Sequence, residues 1–403
     1  MKILIANKFY FKKGGDCIYS MNLEELLKNK DHKVAFFSML HSENESNEYS
    51  KYWVSSVDYQ KIGFKSIARV LMRPLFSSEV KNKFNLLLSD FKPDIVHLNN
   101  IHSQISPIIA REAYKKKIPV VWTLHDYKLV CPAYTCLRDN KICELCFNNR
   151  LNVIKNRCIK NSLSAGFIAC LEAFIWNKKK LMKYTRAFIS PSEFLKTKMI
   201  EGGYNEEKIY VLNNFINKSL VPGIKRNDSV KYYLFFGRLS VEKGIIRLLE
   251  TAEKMPEYNL KIAGTGPLFQ SLVEKYRSAH IEFIGHISGE NLKYLILNAE
   301  FTIIPSIWYE NNPMSIIESL VLGTPVLASA IGGIPELIME GSNGMLFDSG
   351  NTEMMKRAIN KMFWGAADSF DRKKISARAL LRFSDEVYYN ELVKIYANIK
   401  AQR

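Results

Sequence analysis
Glu310 and Glu318, with seven residues between them, bracket a proline that can open a helix. Around them FTIIPSIWYENNPMSIIESLVLGTPVLASAIGGIPE, residues 301–336, reads as strand, loop, helix, strand, loop. Phe301 to Pro305 is a short apolar run, Ser306 to Asn312 a polar and aromatic loop, Pro313 to Leu322 a helix, and Thr324 to Ala328 a second buried strand. A proline fits the first helical turn because its missing N–H would be unpaired there anyway. The free N–H groups of that start, together with the positive end of the helix dipole, make an anion site, most simply for phosphate. Glu318 lies about 7.5 Å further up the axis at about 1.5 Å per residue. A ligand with its pyrophosphate over Pro313 can therefore offer hydroxyls to both carboxylates. A nucleotide sugar has that layout, with ribose on one side of the diphosphate and hexose on the other. The plain alternative is a solvated loop residue and a surface helix residue. Ser315, Ile316, Ile317, Leu320 and Val321 around Glu318 speak against it, since an unpaired carboxylate among them is costly.

Other groups with chemistry stand at strand ends. Lys231 to Phe236 is an apolar strand leading into FGRLSVEKG, and two cations there, Arg238 and Lys243, can neutralise a diphosphate without a metal. The segment IPVVWTLHDYKLVCP ends a strand in His125, and carboxyl ends of parallel strands are where open α/β sheets bind ligands. His97, in FKPDIVHLNN, is a weaker candidate. Gly14 and Gly15 lie in the loop between a strand at Lys2 to Ala6 and a helix from Asp16 to Asn29; GxGxxG is absent, which argues against a dinucleotide. Five of the seven cysteines fall between residues 131 and 158. Cys143 and Cys146 form a CxxC, Cys131 and Cys158 flank it at equal spacing, and Cys136 is spare. Disulfides are disfavoured in a cytoplasmic chain, so metal ligation and plain thiols both stay open. Four thiolates, Cys131, Cys143, Cys146 and Cys158, can close a tetrahedral structural zinc site in a segment too polar to order itself by burial.

These groups need alternating strands and helices to carry them. Strand patterns recur at His32 to Ser38, Asp94 to Leu98, Ala187 to Ser190, Lys208 to Leu212, Asn259 to Ala263, Ile281 to Ile284 and Met345 to Phe347. Helical stretches are read at Ser103 to Lys117 and Asp385 to Lys400. That alternation is the mark of parallel α/β sheets. Residues 39 to 75 read as irregular with short helical pieces, and Asn213 to Ser229, with Pro222 and Gly223, as a linker. Asn161 to Tyr184 is an apolar helix with one acid, ending in Lys178, Lys179, Lys180 and Lys183; with Trp176 it suits a membrane interface or a core helix with a solvated end.

The Glu310 and Glu318 pair, GTPVLAS and Gly332-Gly333-Ile334-Pro335-Glu336 together resemble the nucleotide-sugar site of the retaining family-four glycosyltransferases, also called glycosyl transferases group one. The resemblance extends over nearly the whole chain. It implies an α/β fold with two Rossmann-like domains, the GT-B architecture, and an interdomain cleft. An acceptor domain would span residues 1–212 with the cysteine insert 131–158, a donor domain 213–384, and a helix at 385–403 would cross back to the first. Arg238 and Lys243, followed by Gly244, match the family's diphosphate motif, and HDYK matches the segment whose His contacts the transferred sugar and the acceptor. His125, Glu310, Arg238 and Lys243 are thus the implied catalytic set. The implied donor site comprises Asn311, Asn312, Pro313, Met314, Ser315 and Glu318, with Gly264 and Gly266 in a tight turn, Ile287 near the base, and Gly14 and Gly15 near the phosphates. The insert and the Asn311-Asn312 pair, where the family often has Phe or Gly beside the proline, are departures.

At 403 residues, 47% hydrophobic and 24% charged, the chain suits two or three folded domains. It has no uncharged run long enough to span a bilayer and, after Met1 and Lys2, only a four-residue apolar run before Lys8, so it is read as cytoplasmic. Residues 1–220 carry 35 Lys and Arg against 20 Asp and Glu, whereas the remainder carry 22 against 20. The basic half implies an anionic partner, for which an anionic membrane on its inner face is preferred over nucleic acid. The expected activity is retaining, metal-independent transfer of a sugar from a nucleotide diphosphate sugar to a saccharide or lipid-linked saccharide hydroxyl, in polysaccharide or glycolipid assembly. The rival readings are a nucleotide-sugar epimerase and a non-enzymatic nucleic-acid binder.

Overall fold
The computed structural model describes residues 1–57, 72–217 and 231–401. One unit is built from Met1–Cys136, Cys143–Asn213 and Tyr388–Arg403, the other from Leu137–Ile142 and Asn214–Val387.

The sheet of the first unit has six parallel strands: β1 (Lys2–Ala6), β2 (Lys33–Phe37), β3 (Ile95–Leu98), β4 (Val120–Thr123), β7 (Ala187–Ser190) and β8 (Ile209–Val211), in the order β2-β1-β3-β4-β7-β8. Between β4 and β7 a small antiparallel hairpin pairs β5 (Leu137–Arg138) with β6 (Lys141–Ile142). The second sheet is also six-stranded and parallel: β9 (Tyr232–Phe236), β10 (Asn259–Ala263), β11 (Ile281–Gly285), β12 (Phe301–Ile304), β13 (Val326–Ser329) and β14 (Gly344–Phe347), in the order β11-β10-β9-β12-β13-β14. Central strands such as IVHL, VVWT, YYLFF and VLAS are buried at every residue. Helices cover both faces of such a sheet, which is why these strands read as continuous apolar runs rather than alternating ones. The expected α/β class with two parallel-sheet units is therefore what the chain adopts.

In each sheet the strand order reverses once, between β1 and β3 in the first and between β9 and β12 in the second. Loops leaving the carboxyl ends of strands at such a switch diverge to opposite faces and leave a crevice. The loops after β9 and β12 carry Arg238, Lys243 and Glu310; the loops after β1, β3 and β4 carry Lys8, Asn99 and His125.

Element ends differ from the sequence reading where local chemistry intervenes. The helix expected from Pro313 begins at Met314, with Pro313 at the cap in an extended conformation (φ −65°, ψ 124°). The helix expected from Ser103 spans only Ile108–Lys115, because Ser103 and Ser106 take positive φ and Pro107 resets the chain. The apolar stretch 161–184 is two helices, Leu163–Ile175 and Lys178–Tyr184, since the Asn177 side chain caps a new start by accepting from the Lys180 N–H. Pro222 and Gly223, like part of the irregular stretch 39–75, lie outside the described residues. The helix Asp385–Ala401 sends Tyr388, Leu392, Ile395, Tyr396 and Ile399 inward. Its Tyr396 hydroxyl meets His97 Nδ1 at 2.5 Å, and Tyr388 meets Tyr19 hydroxyl to hydroxyl.

Candidate functional site
In the second unit, the loops after β9 and β12 bring Lys243 Nζ within 2.6 Å of Glu310 Oε1. Ser306 donates to the same oxygen at 2.6 Å. The Ser306 carbonyl is in turn held by the hydroxyls of Ser329 and Ser349 at 2.7 and 2.9 Å. Burial pushes the Glu310 carboxyl up, but the Lys243 ammonium and the hydrogen bonds from Lys243 and Ser306 outweigh it, leaving the group below its ordinary value and ionised. Lys243 also lies over the Trp308 ring, 5.4 Å from its centroid. Arg238 is exposed and has neither an ion pair nor a hydrogen bond among the described residues.

Four glycines shape these loops. Gly244 takes φ +71°, and a Cβ there would fall 1.9 Å from the Pro305 carbonyl oxygen, so a side chain would force apart the loops carrying Lys243 and Glu310. Gly332 takes φ +62°, and its Cβ would fall 2.3 Å from the Glu310 carbonyl oxygen, which also accepts the Gly333 N–H at 2.7 Å. The double glycine of GGIPE thus seats the Glu310 backbone. Gly264 and Gly266 act the same way on the other side. Their Cβ atoms would strike the Gly237 carbonyl at 1.9 Å and the Leu239 carbonyl at 2.5 Å, the residues flanking Arg238.

The helix Met314–Val321 has no side-chain cap. Ile316 and Ile317 N–H groups turn back to the Pro313 carbonyl, while those of Met314 and Ser315 have no acceptor among the described residues. Glu318, one turn on, is half-buried and has no cationic partner or hydrogen-bonded side-chain partner among the described residues; burial alone pushes its carboxyl up to about 7. Asn312 is spent on structure. Its Oδ1 accepts the Asn214 N–H and its carbonyl accepts from Asn214 Nδ2, both at 2.8 Å, although its own Nδ2 has no partner among the described residues. Asn311 is half-buried in the same loop, and Ile287 packs partly against Tyr232, Leu234 and Phe236 after β11.

In the first unit, His125 follows β4, with Nε2 3.0 Å from Asn99 Oδ1 and its ring edge-on to Tyr19 at 4.9 Å. Burial pushes the imidazole down to about 4, against the pull of Asp16, so it is neutral at physiological pH. Asp16, on the first turn of the helix Gly15–Asn29, faces Lys8 at 3.8 Å. Burial pushes its carboxyl up, but Lys8 and His125 outweigh it and the group stays below its ordinary value. Asp126 is pushed up by burial, and it accepts the Lys128 N–H at 2.8 Å. Gly14 is extended (φ −173°) and Gly15 has nothing within 4 Å of a built Cβ, so the glycines leave open space over this helix start rather than satisfy a backbone constraint. Lys8, Asp16, Asn99, Asp126 and, in the second unit, Ser306 were not legible as site residues. Only their places at strand ends, or for Asp16 at a helix start, could have marked them. His97 is a core residue, fully buried between Thr123 and Tyr396 and pushed down to about 3 by burial.

None of the seven cysteines is joined in a disulfide. Cys131 is grouped with Cys136 and Cys146, and hydrogen bonds from those two thiols and from the Cys136 and Ala133 backbone hold its sulfur far below the usual thiol range. Among the described residues no group of three or more His, Cys, Asp or Glu stands where it could hold a metal ion. The zinc reading of Cys131, Cys143, Cys146 and Cys158 is thus carried by spacing alone, and the metal content of protein purified without chelator is its test.

Residues 14–220 match Glycosyltransferase Family 4 and residues 219–379 match Glycosyl transferases group 1. The chain belongs to these glycosyltransferases, and its fold is the GT-B fold. It is 25% identical to an uncharacterized 42.6 kDa protein in the cps region of Klebsiella pneumoniae, over 84% of this chain and 87% of that one. Among solved structures it resembles the apo form of WaaB, a lipopolysaccharide outer core galactosyltransferase, with TM-score 0.67, 18% identity and coverage of 99% and 100% of the two chains. It also resembles Anabaena HepE in complex with UDP-glucose, with TM-score 0.68, 16% identity and the same coverage. Neither the epimerase nor the nucleic-acid reading gains support from these relatives.

Proposed function
We propose that this glycosyltransferase moves a sugar from a nucleotide diphosphate sugar to a hydroxyl of a saccharide or lipid-linked saccharide, with retention of anomeric configuration. It would act in the cytoplasm at the inner face of a membrane, in the assembly of a cell-surface polysaccharide or glycolipid. The observation that carries the donor reading is Glu318, a carboxylate half-buried and, among the described residues, unpartnered one turn beyond two unpaired helix N–H groups. A ribose diol over Glu318 and a diphosphate over Met314 and Ser315 would satisfy all of them at once. Arg238 and Lys243 supply counter-charge for the departing diphosphate, so the reaction has no need of a catalytic metal. Glu310, held by Lys243 and Ser306, orients the transferred sugar. The proposed course is a front-side displacement assisted by the leaving phosphate. His125, neutral, takes the role of a contact to the transferred sugar and the acceptor. HepE was solved with UDP-glucose and the Klebsiella relative is named for a cps region; both agree with this reading.

A thermal-shift panel of nucleotide sugars tests it. The true donor at a hundred times its dissociation constant adds about 2.7 kcal/mol of stability. A panel in which no nucleotide sugar raises Tm would remove the proposal.

A further inference from the structure
The helix Leu163–Ile175 presents its apolar side to solvent. Leu163, Phe167 and Phe174 are 51%, 54% and 52% exposed, with half-buried Leu171 between the last two. That spacing is one helix face, and a surface helix ordinarily turns such a face inward. Here the helix instead buries its one acid, Glu172, against Lys128 Nζ at 3.0 Å. Rotation is fixed by Gly166, where a Cβ would stand 3.0 Å from the Val153 carbonyl of the helix Asn152–Lys155. Exposed Leu145 and Leu151 lie on the neighbouring short elements.

The stretch of chain that carries that face is basic almost without exception. Residues 145–183 hold eight Lys and Arg and a single acid, the buried Glu172. Lys155, Arg157 and Lys160 are exposed before the helix; Lys179, Lys180 and Lys183 are exposed after it. Beside it a cavity of about 270 Å³ is lined by Phe147, Asn148, Arg150, Phe174, Asn177 and Lys178, among others, so an aromatic wall meets two cations. No helix among the described residues is long and apolar enough to cross a membrane.

We propose that this face docks on an anionic lipid leaflet, with Leu163, Phe167 and Phe174 in the acyl boundary, the lysines on lipid phosphates, and the cavity between Arg150 and Lys178 receiving a head-group. An apolar helix face with a basic rim is the pattern of an interfacial helix, and one without the other would bind weakly. The lack of exposed acids in this stretch selects an anionic surface over a basic or neutral partner. The inference rests on the membrane-surface part of the proposed function and names the surface that serves it.

The test is co-sedimentation with vesicles of phosphatidylcholine containing about a third phosphatidylglycerol, against vesicles of phosphatidylcholine alone. The full-length chain binds the anionic vesicles and loses at least about tenfold in affinity as salt rises from near physiological to several times higher. Phe167→Ser with Phe174→Ser, and separately Lys179→Ser with Lys180→Ser, each weaken binding about tenfold while Tm and the thermal shift given by the donor stay as in the parent. A Phe167→Trp variant reports insertion directly, by quenching from brominated acyl chains. The proposal is overturned by equal binding to both vesicle types, by no binding to either, or by variants that bind like the parent. It is also overturned if the chain is a lipid-independent dimer that Phe174→Ser dissociates, since a second copy then covers the face. A donor shift retained while vesicle binding is absent would remove this surface and leave the glycosyltransferase reading standing.

Discussion

Replacing Lys243 with alanine lowers turnover at least about a hundredfold, because negative charge on the leaving diphosphate grows in the transition state and a preorganised cation there acts on kcat rather than on binding alone. The same change costs stability. Lys243 is the partner of a carboxylate whose side chain is 6% exposed, and without it Glu310 is left ionised with no cation beside it among the described residues, or must take up a proton. Breaking such a pair from one side is expensive, whereas removing both charges is nearly neutral. Lys243→Ala with Glu310→Gln therefore recovers most of the lost Tm and none of the activity. Arg238→Ala separates the two effects from the other direction. Arg238 is exposed and without a partner among the described residues, so its loss leaves Tm near the parent value while turnover falls to a similar degree. Steady-state kinetics and thermal melts on the four proteins decide the matter. Turnover within a few fold of the parent for Lys243→Ala would reject its role at the diphosphate.

How far the sequence announced this site varies with the physics involved. Strand cores such as YYLFF and VLAS were legible because both faces of a parallel strand are buried and the residues are nearly all apolar. Arg238, Lys243, Glu310 and Glu318 were legible as charges at strand ends and a helix start. What was not legible is which charges meet. Lys243 reaches Glu310 only because the loops after β9 and β12 flank the reversal of strand order, and strand order is set by packing across the sheet, not by local pattern. The glycines show the same limit. Gly264 and Gly266 read as tight-turn residues, yet their contacts are with the carbonyls of Gly237 and Leu239 in another loop, and Gly332 is small for the sake of Glu310. Asn312 read as a donor contact and is occupied by Asn214, nearly a hundred residues earlier in the chain. The breaks in helices 103–117 and 161–184 turn on single residues, Pro107 and Asn177, whose effect depends on the backbone before them.

Glu318→Gln makes the protein more stable and a poorer binder, and both effects grow as pH rises, because in the parent stability falls with pH while donor affinity rises. The carboxyl is raised from its ordinary value to about 7 by burial alone. In the unfolded chain it ionises near its ordinary value, so between there and about pH 7 the unfolded state releases a proton that the folded state keeps, and stability falls as pH rises. The cost is complete above the folded value and absent below the unfolded one. Glutamine removes it, so Glu318→Gln is more stable than the parent at pH 8, by about 1–2 kcal/mol after allowance for partial exposure, and equal to it near pH 4. Donor affinity runs the other way. A carboxylate accepting two ribose hydroxyls binds better than a carboxylic acid that must donate its own proton, so parent affinity for a nucleotide sugar rises from pH 6 to pH 8. A nucleotide sugar is the right probe because its diphosphate diester does not titrate in that range. Glu318→Gln flattens the rise and weakens binding about tenfold at pH 8, while kcat changes less than KM, since a ribose contact is present in ground and transition states alike. Calorimetric titration at three pH values, with thermal melts on the same samples, reads both effects. A parent affinity that does not change with pH, or a variant no more stable than the parent at pH 8, would show that Glu318 is neither the strained carboxylate nor the ribose contact assigned to it.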